Sequence, residues 1–180
     1  MSDAEKSPDI VEAHDLPVPY IKRLRDYYLT LGYGNPYHWV HYSHVPFCKL
    51  QQPLSESRVA LVTTAAPLKP GAGDQGPGAA YNAAAKFYKV YSARSDEEQF
   101  LGISHIGYDR KYSTAEDINS YFPLKAMQNA AKNGRIGELS PRYYGTPTNR
   151  SQATTIEQDC VELLALLRKD EANAAVLTAN

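Results

Sequence analysis

The stretch Ser55–Ala66 (SESRVALVTTAA) decides the fold. Its apolar run, Val59 to Val62, is short and uninterrupted, and two threonines follow it at once. Two later segments repeat the pattern of an apolar run with a polar tip: Phe100–Arg110 (FLGISHIGYDR) and Ala172–Asn180 (ANAAVLTAN). Short apolar runs of this kind are typical of strands buried on both faces of a parallel sheet. We therefore predict an α/β fold.

Apolar spacing and turn residues predict the remaining elements and the domain boundary. The predicted strands are Arg58–Thr64, Gln99–Ser104 and Ala174–Leu177, and the predicted helices are Tyr20–Leu31, Leu124–Asn133 and Ile156–Lys169. The last helix carries an apolar stripe of Ile156, Cys160, Leu163, Leu164 and Leu167, which predicts that Cys160 is buried. Residues 1–53 form a predicted helical and aromatic-rich extension, and residues 54–180 a predicted α/β domain.

Composition excludes several classes of protein. The chain has 19 basic and 20 acidic side chains, and this balance argues against a nucleic-acid partner. No apolar run approaches the roughly 18 residues of a membrane span. The acidic, polar N-terminus is no signal peptide, so a cytoplasmic protein with two free thiols is expected. The 14 tyrosines favour interfaces or a polar pocket.

Polar residues follow the predicted strands, where α/β sheets bind their ligands. The predicted catalytic residues are His105, Asp109 and Cys48, and the predicted substrate-binding residues are Thr63, Thr64, Tyr108, Arg110 and Arg142. His105 is best placed for proton transfer, because its ordinary pKa is near neutrality. Arg142 is suited to a carboxylate. In the alternative interpretation, Asp109 and Arg110 brace a turn, His105 bonds to the main chain, and Arg142 is solvated surface.

The segment Asn35–Leu50 contains four residues of metal-ligating type, namely His38, His41, His44 and Cys48. Their spacing matches no zinc signature, and Pro46 interrupts any continuous helix, so no metal site is predicted. An aromatic segment that covers a sheet or a partner subunit is the preferred interpretation. The letters GAGDQG, from Gly71, do not predict a dinucleotide site, because prolines flank them and no helical pattern follows at once.

Three segments together resemble a known family: RVALVTTAAPLK, SHIGYDR with FPLKAMQNAAKNGRIGELSPRYYG, and VELLALLRKDEANAAVLTAN. They resemble, in order from about Leu54 to Asn180, the selenoprotein B family of glycine, sarcosine, betaine and D-proline reductases. The resemblance implies a flavodoxin-like or Rossmann-like parallel sheet flanked by helices. It also implies reductive or thiol-dependent cleavage of a C–N or C–S bond in a small amino-acid-derived substrate.

The resemblance assigns no nucleophile to this sequence. In the family, the last strand runs into a selenocysteine or cysteine motif, whereas this sequence ends at Asn180. Two hypotheses follow. In one, a C-terminal partner chain supplies a catalytic Cys, selenocysteine or pyruvoyl group and completes the sheet, so the protein is a hetero-oligomer. In the other, a short homologue, alone or as a homo-oligomer, uses His105, Asp109 and Cys48. We expect an enzyme subunit; the alternative is a non-catalytic scaffold or binding subunit.

Overall fold

A computed structural model describes residues 19–34, 42–45, 47–68, 89–103, 115–147 and 151–179 of the chain. The chain divides into two compact units, residues 1–46 and 47–180. The described part of the first unit contains helix α1, Tyr20–Thr30, which ends one residue before the predicted end at Leu31. The chain leaves α1 through Gly32, whose φ of +86° is accessible to glycine at little cost.

The second unit is built on strand β1, Arg58–Thr63, which lies inside a mostly parallel sheet. On one edge, β1 pairs first with β5 (Glu138–Leu139) and then with β6 (Arg142–Gly145). On its other edge, β1 pairs along its length with β7, Ala174–Thr178. All three pairings are parallel, and helices flank the sheet, so the predicted α/β fold is confirmed.

The two remaining strand pairings are antiparallel. Strand β3, Tyr91–Arg94, lies antiparallel to β6 at the edge of the main sheet. Strands β2 (Ala66–Pro67) and β4 (Leu101–Gly102) form a separate antiparallel pair. The predicted strand Gln99–Ser104 is therefore shorter than expected and lies outside the parallel sheet. An apolar run indicates an extended segment but does not determine which strand it pairs with.

Both faces of the main sheet are packed. On one face, Leu61 and Tyr143 pack with Phe122 and with Leu124 of helix α2, Leu124–Lys132. On the other face, the residues in contact are Ala60, Val62 and Tyr144 from the sheet, and Leu163, Leu166, Leu167 and Ala172 from the segment that leads to β7. The alternation of Ala60, Leu61 and Val62 between two cores is the arrangement expected of a strand buried on both sides.

Helix α3, Cys160–Lys169, follows a helical turn at Gln152–Thr154 and a π-helical turn at Thr155–Asp159. The prediction that Cys160 is buried is wrong, because its side chain is exposed. Ile156 and Leu164 are also exposed, although both belong to the predicted stripe. The π turn inserts an extra residue per turn, which rotates Ile156 away from the stripe. Only the face with Leu163, Leu166 and Leu167 reaches the core.

Arg58 forms hydrogen bonds that stabilise the amino-terminal end of the parallel sheet. Its Nε donates to Glu138 Oε1 at 2.8 Å, and its Nη1 donates to the Asp170 carbonyl at 2.7 Å and to Glu171 Oε2 at 3.0 Å. The hydrogen bond to Glu138 is the main reason why the pKa of Arg58 is raised. These contacts connect β1 to β5 and to the turn before β7, so Arg58 has a structural role at the amino-terminal ends of these strands.

Among the helices in the described part of the chain, none combines the length and the apolar character needed to cross a membrane.

Candidate functional site

The carboxyl ends of three parallel strands meet at one edge of the sheet. Thr63 at the end of β1 is level with Gly145 at the end of β6 and with Thr178 at the end of β7. Thr64 and Thr146 follow directly. We call this group of residues the carboxyl edge. It is the part of an α/β sheet at which ligands bind, and it contains both threonines that were predicted from the sequence.

Several polar groups of the carboxyl edge form hydrogen bonds with the main chain of the sheet or of the turn after β1. The Thr63 hydroxyl is buried and accepts a hydrogen bond from the Ala65 amide at 3.1 Å. The Thr64 amide donates to the Thr178 carbonyl at 3.2 Å, and the Thr178 hydroxyl donates to the Val62 carbonyl at 3.2 Å. Thr64 is half-buried, so its side chain is the more accessible of the two predicted threonines.

The sequence interpretation missed Tyr91 and Gly145. The Tyr91 hydroxyl donates to the Ala65 carbonyl, directly after the two threonines. Its ring lies against Gly145, where a Cβ would stand 1.9 Å from two ring carbons. Burial, followed by the nearby Tyr143, raises the pKa of Tyr91 far above its usual range, so the phenol remains a hydrogen-bond donor. A glycine inside a strand, as in RYYG at 142–145, is the signal that could have indicated this close contact.

One predicted site residue, Arg142, lies away from the carboxyl edge. Arg142 begins β6, so it lies at the strand end opposite to Gly145 and Thr63. There its Nη1 donates to Ser92 Oγ at 3.3 Å. Cys48 is exposed and precedes β1. The structure therefore does not bring Arg142 together with the threonines.

Four predicted site residues lie outside the described residues, namely His105, Tyr108, Asp109 and Arg110. They follow β4 along the chain, two to seven residues after the buried Ile103. His38 and His41 also lie outside the described residues, whereas His44 is described and exposed. Within the described ranges, no group of three or more His, Cys, Asp or Glu side chains could hold a metal ion.

A cleft of about 480 Å³ lies near the amino-terminal side of β6, where Arg94 of β3 is level with Arg142. Asp96, Glu97 and Glu98 give it an acidic rim, and Lys125 also belongs to the lining. Asp96 accepts a hydrogen bond from Arg94 Nε at 2.9 Å, and this arginine holds the pKa of Asp96 below its usual value. The acidic rim is thus partly neutralised by the protein itself.

The family described as glycine/sarcosine/betaine reductase selenoprotein B matches residues 27–180. The chain belongs to this family. The match confirms the resemblance of the three segments and extends it into α1, which the sequence interpretation had not connected with any family. Because it includes β1, β6 and β7, the family match contains the whole carboxyl edge.

A curated relative is the glycine reductase complex component B subunit gamma of Symbiobacterium thermophilum. It is 27% identical to this chain over 149 residues, which cover 82% of the chain and 34% of the relative. The chain thus spans about a third of the length of this relative. No solved structure matches the chain.

Proposed function

We propose that the chain is a subunit of a reductase complex that cleaves a C–N or C–S bond in a small amino-acid-derived substrate. The observation that carries this proposal is the family match over residues 27–180, which includes the carboxyl edge. The relative's name, a component of a glycine reductase complex, supports a role within a multi-subunit enzyme. Reductive deamination and desulfuration both fit, since a thiolate is the nucleophile in either reaction.

The nucleophile in this proposal is on a partner chain. The two cysteines of the chain, Cys48 and Cys160, are both exposed and neither belongs to the carboxyl edge. A cysteine or selenocysteine of a partner would supply the attacking thiolate or selenolate, and a pyruvoyl group of a partner would supply a carbonyl that accepts an amine. The protein therefore acts as part of a hetero-oligomer in this proposal.

The chain's own residues bind the substrate and move a proton. Thr64 is the more accessible of the two predicted threonines and would contact the substrate, while Tyr108 and Arg110 would bind its polar and anionic groups. His105 would donate a proton to the leaving nitrogen or sulfur, and Asp109 would orient the imidazole. Arg142 has no part in this pocket, because it lies at the other end of β6.

The test is replacement of His105 in the complete complex. His105→Ala should lower turnover by at least about a hundredfold, the low end for lost general acid–base catalysis. Turnover is measured as release of ammonia or amine from glycine, sarcosine and betaine, and of a thiol from a thioether amino acid, with dithiothreitol as reductant. The matched control is His44→Ala, at an exposed histidine, which should keep normal turnover.

The competing hypothesis is a non-catalytic scaffold or binding subunit. The use of the Thr63 and Thr178 hydroxyls within the sheet favours it, because both already bond to the main chain. A complex that assembles normally with His105→Ala and retains near-normal turnover would establish the scaffold role and reject the catalytic one. Intact masses of all polypeptides in the natively expressed complex identify any partner chain that carries the thiol.

A further inference from the structure

The cleft of about 480 Å³ at the amino-terminal side of β6 is lined by two segments of the chain. One segment is the turn after β3, residues 96–99, and the other runs from the 3-10 turn Ile118–Ser120 into helix α2. Ile118, Phe122 and Leu124 give the cleft an apolar wall. Small-molecule sites have volumes in this range and combine an apolar wall with a few polar groups.

Two amide side chains of the lining use their N–H groups within the protein. Gln128 Nε2 donates to the Ser95 carbonyl at 2.7 Å, and Asn119 Nδ2 donates to Asp117 Oδ1 at 2.8 Å. The side-chain oxygens of Gln128 and Asn119 accept no hydrogen bond from another described residue. An amide oxygen can accept two hydrogen bonds, so the cleft offers acceptors to a ligand that carries N–H groups.

Two charged side chains of the lining are not used by the protein. Asp96 and Glu97 both form ion pairs with Arg94. Glu98 and Lys125, in contrast, form no ion pair with another residue in the described part of the chain. They contribute one carboxylate and one ammonium group, and they come from the two different segments of the lining. A ligand that matches both therefore carries a cationic and an anionic group.

A buried hydroxyl beside the cleft lacks a hydrogen-bond partner. Ser95 is only 5% exposed, and its Oγ forms no hydrogen bond with another described residue. The Ser95 amide donates to the Pro141 carbonyl at 2.9 Å and so continues the β3–β6 pairing, which places the Ser95 side chain on the face of Tyr91 and Tyr143. Phe122 of the cleft packs on this same face. Buried hydroxyls are nearly always bonded, so this Oγ indicates a polar partner from outside the chain.

We propose that this cleft binds a free amino acid with an apolar side chain. The ammonium group of the ligand binds Glu98 and the amide oxygens of Asn119 and Gln128. Its carboxylate binds Lys125, and its side chain packs against the apolar wall. Charge-assisted hydrogen bonds fix the orientation of the ligand, and burial of its apolar side chain adds affinity. The carboxyl edge is at the other end of β6, so this site goes beyond the proposed function.

The first experiment measures binding of L-leucine to the 180-residue chain by saturation-transfer difference NMR. The titration extends to about 20 mM leucine, which detects dissociation constants in the millimolar range. We expect saturable binding, and we expect glycine to bind at least about tenfold more weakly, because it lacks the side chain that the apolar wall would bury. An absence of saturable binding, or a preference for glycine over leucine, would overturn the proposal.

Two analogues of leucine and two variants test the charges at each end of the ligand. 4-Methylpentanoate lacks the ammonium group of leucine, and leucinamide lacks its carboxylate. Glu98→Gln should weaken binding of leucine and leucinamide about three- to tenfold without weakening that of 4-methylpentanoate. Lys125→Gln should weaken binding of leucine and 4-methylpentanoate by a similar factor without weakening that of leucinamide. Variants that weaken all three ligands equally, or none of them, would contradict the proposal.

Two variants outside the cleft are the matched controls. Glu162→Gln and Lys132→Gln change exposed side chains on α3 and α2 that do not line the cleft, and both proteins should bind leucine as the native chain does. Thr64→Val tests the carboxyl edge. Loss of leucine binding in Thr64→Val, with retention in Glu98→Gln, would place the ligand at the carboxyl edge and reject the cleft. Far-UV circular dichroism compares the fold of all variants.

Ser95→Ala gives an independent result, because its effects on stability and on binding should differ. Removal of a buried hydroxyl without a partner should leave the free energy of unfolding equal to or above that of the native chain. Leucine affinity should nevertheless fall about threefold or more, since the ligand loses a hydrogen bond. Lower stability with unchanged affinity would show that the hydroxyl serves only the fold and would contradict its place in the site. None of these measurements uses turnover, so this proposal and the proposed function can fail separately.

Discussion

At the scale of single residues, the contact between Tyr91 and Gly145 determines the shape of the carboxyl edge. The ring occupies the volume that a Cβ would need, and the hydroxyl holds the Ala65 carbonyl. The turn after Thr63 is thereby held from β3, which is separated from β1 by β6 in the sheet. A sequence pattern can indicate that a glycine has a close neighbour, but it cannot identify a tyrosine 54 positions earlier as that neighbour.

Gly145→Ala should lower the free energy of unfolding by about 1 to 3 kcal/mol, the usual cost of overpacking. In a Tyr91→Ala background, the same substitution should cost much less, because the ring is gone. Urea unfolding of the single and double variants measures both effects. Gly34→Ala is the control, since no atom lies within 4 Å of its Cβ position. A Gly145→Ala protein as stable as the native one would show that the ring is easily displaced.

At the scale of elements, the apolar runs and turn residues predicted the helices and β1 to within a few residues. Their burial was less predictable. Helix α3 has apolar residues on more than one side, and only contact with Ala60, Val62 and Tyr144 determines which side is buried. The sequence alone therefore could not separate Leu167, which packs on the core, from Leu164 and Cys160, which do not.

Leu167→Ala should lower the free energy of unfolding by about 1 to 2 kcal/mol, since a partly buried leucine loses contacts with the core. Leu164→Ala should change it by less than about 0.5 kcal/mol, as is usual for an exposed position. The measurement is urea unfolding of the two variants and the native chain under the same conditions. Equal losses in the two variants would mean that both leucines pack on the core.

At the scale of the whole molecule, the sequence was sufficient to predict the parallel sheet and the polar residues that follow its strands. It was not sufficient to predict which side chains lie together at the carboxyl edge. Thr63 was predicted to bind substrate, but its hydroxyl is bonded to the main chain. Arg142 and Gly145 are at opposite ends of β6. Three positions in a strand, at about 3.3 Å each, separate them by roughly 10 Å. The roles of His105, Tyr108, Asp109 and Arg110 stay predictions.

Stability should decrease in alkaline solution. Burial raises the pKa of Tyr143 to about 12, and burial together with Asp170 raises that of Tyr144 to about 12. In the unfolded chain these phenols ionise near 10, so the folded chain retains protons that the unfolded chain releases. The stabilising contribution is complete below pH 10 and is lost as the pH rises towards 12.

Melting temperatures between pH 9 and 12 measure this effect. Tyr144→Phe should reduce the slope of stability against pH above pH 10, because one of the three buried phenols with a raised pKa, those of Tyr91, Tyr143 and Tyr144, no longer titrates. Tyr20→Phe, at a 73% exposed tyrosine in α1, should keep the native slope. An unchanged slope in Tyr144→Phe would assign the alkaline loss to other groups.

The central position of β1 also has a consequence during protein synthesis. Its parallel partners are encoded late in the sequence: β5 begins at Glu138 and β7 at Ala174, about 110 residues after Thr63. At about 5 to 20 residues per second, the ribosome would need roughly 6 to 20 s to make β7 after β1. Until β5 and β6 have been made, the strand VALV has no parallel partner, and its β7 edge stays open longer still. We therefore expect the nascent chain to expose this apolar segment and to bind chaperones that recognise extended apolar peptides.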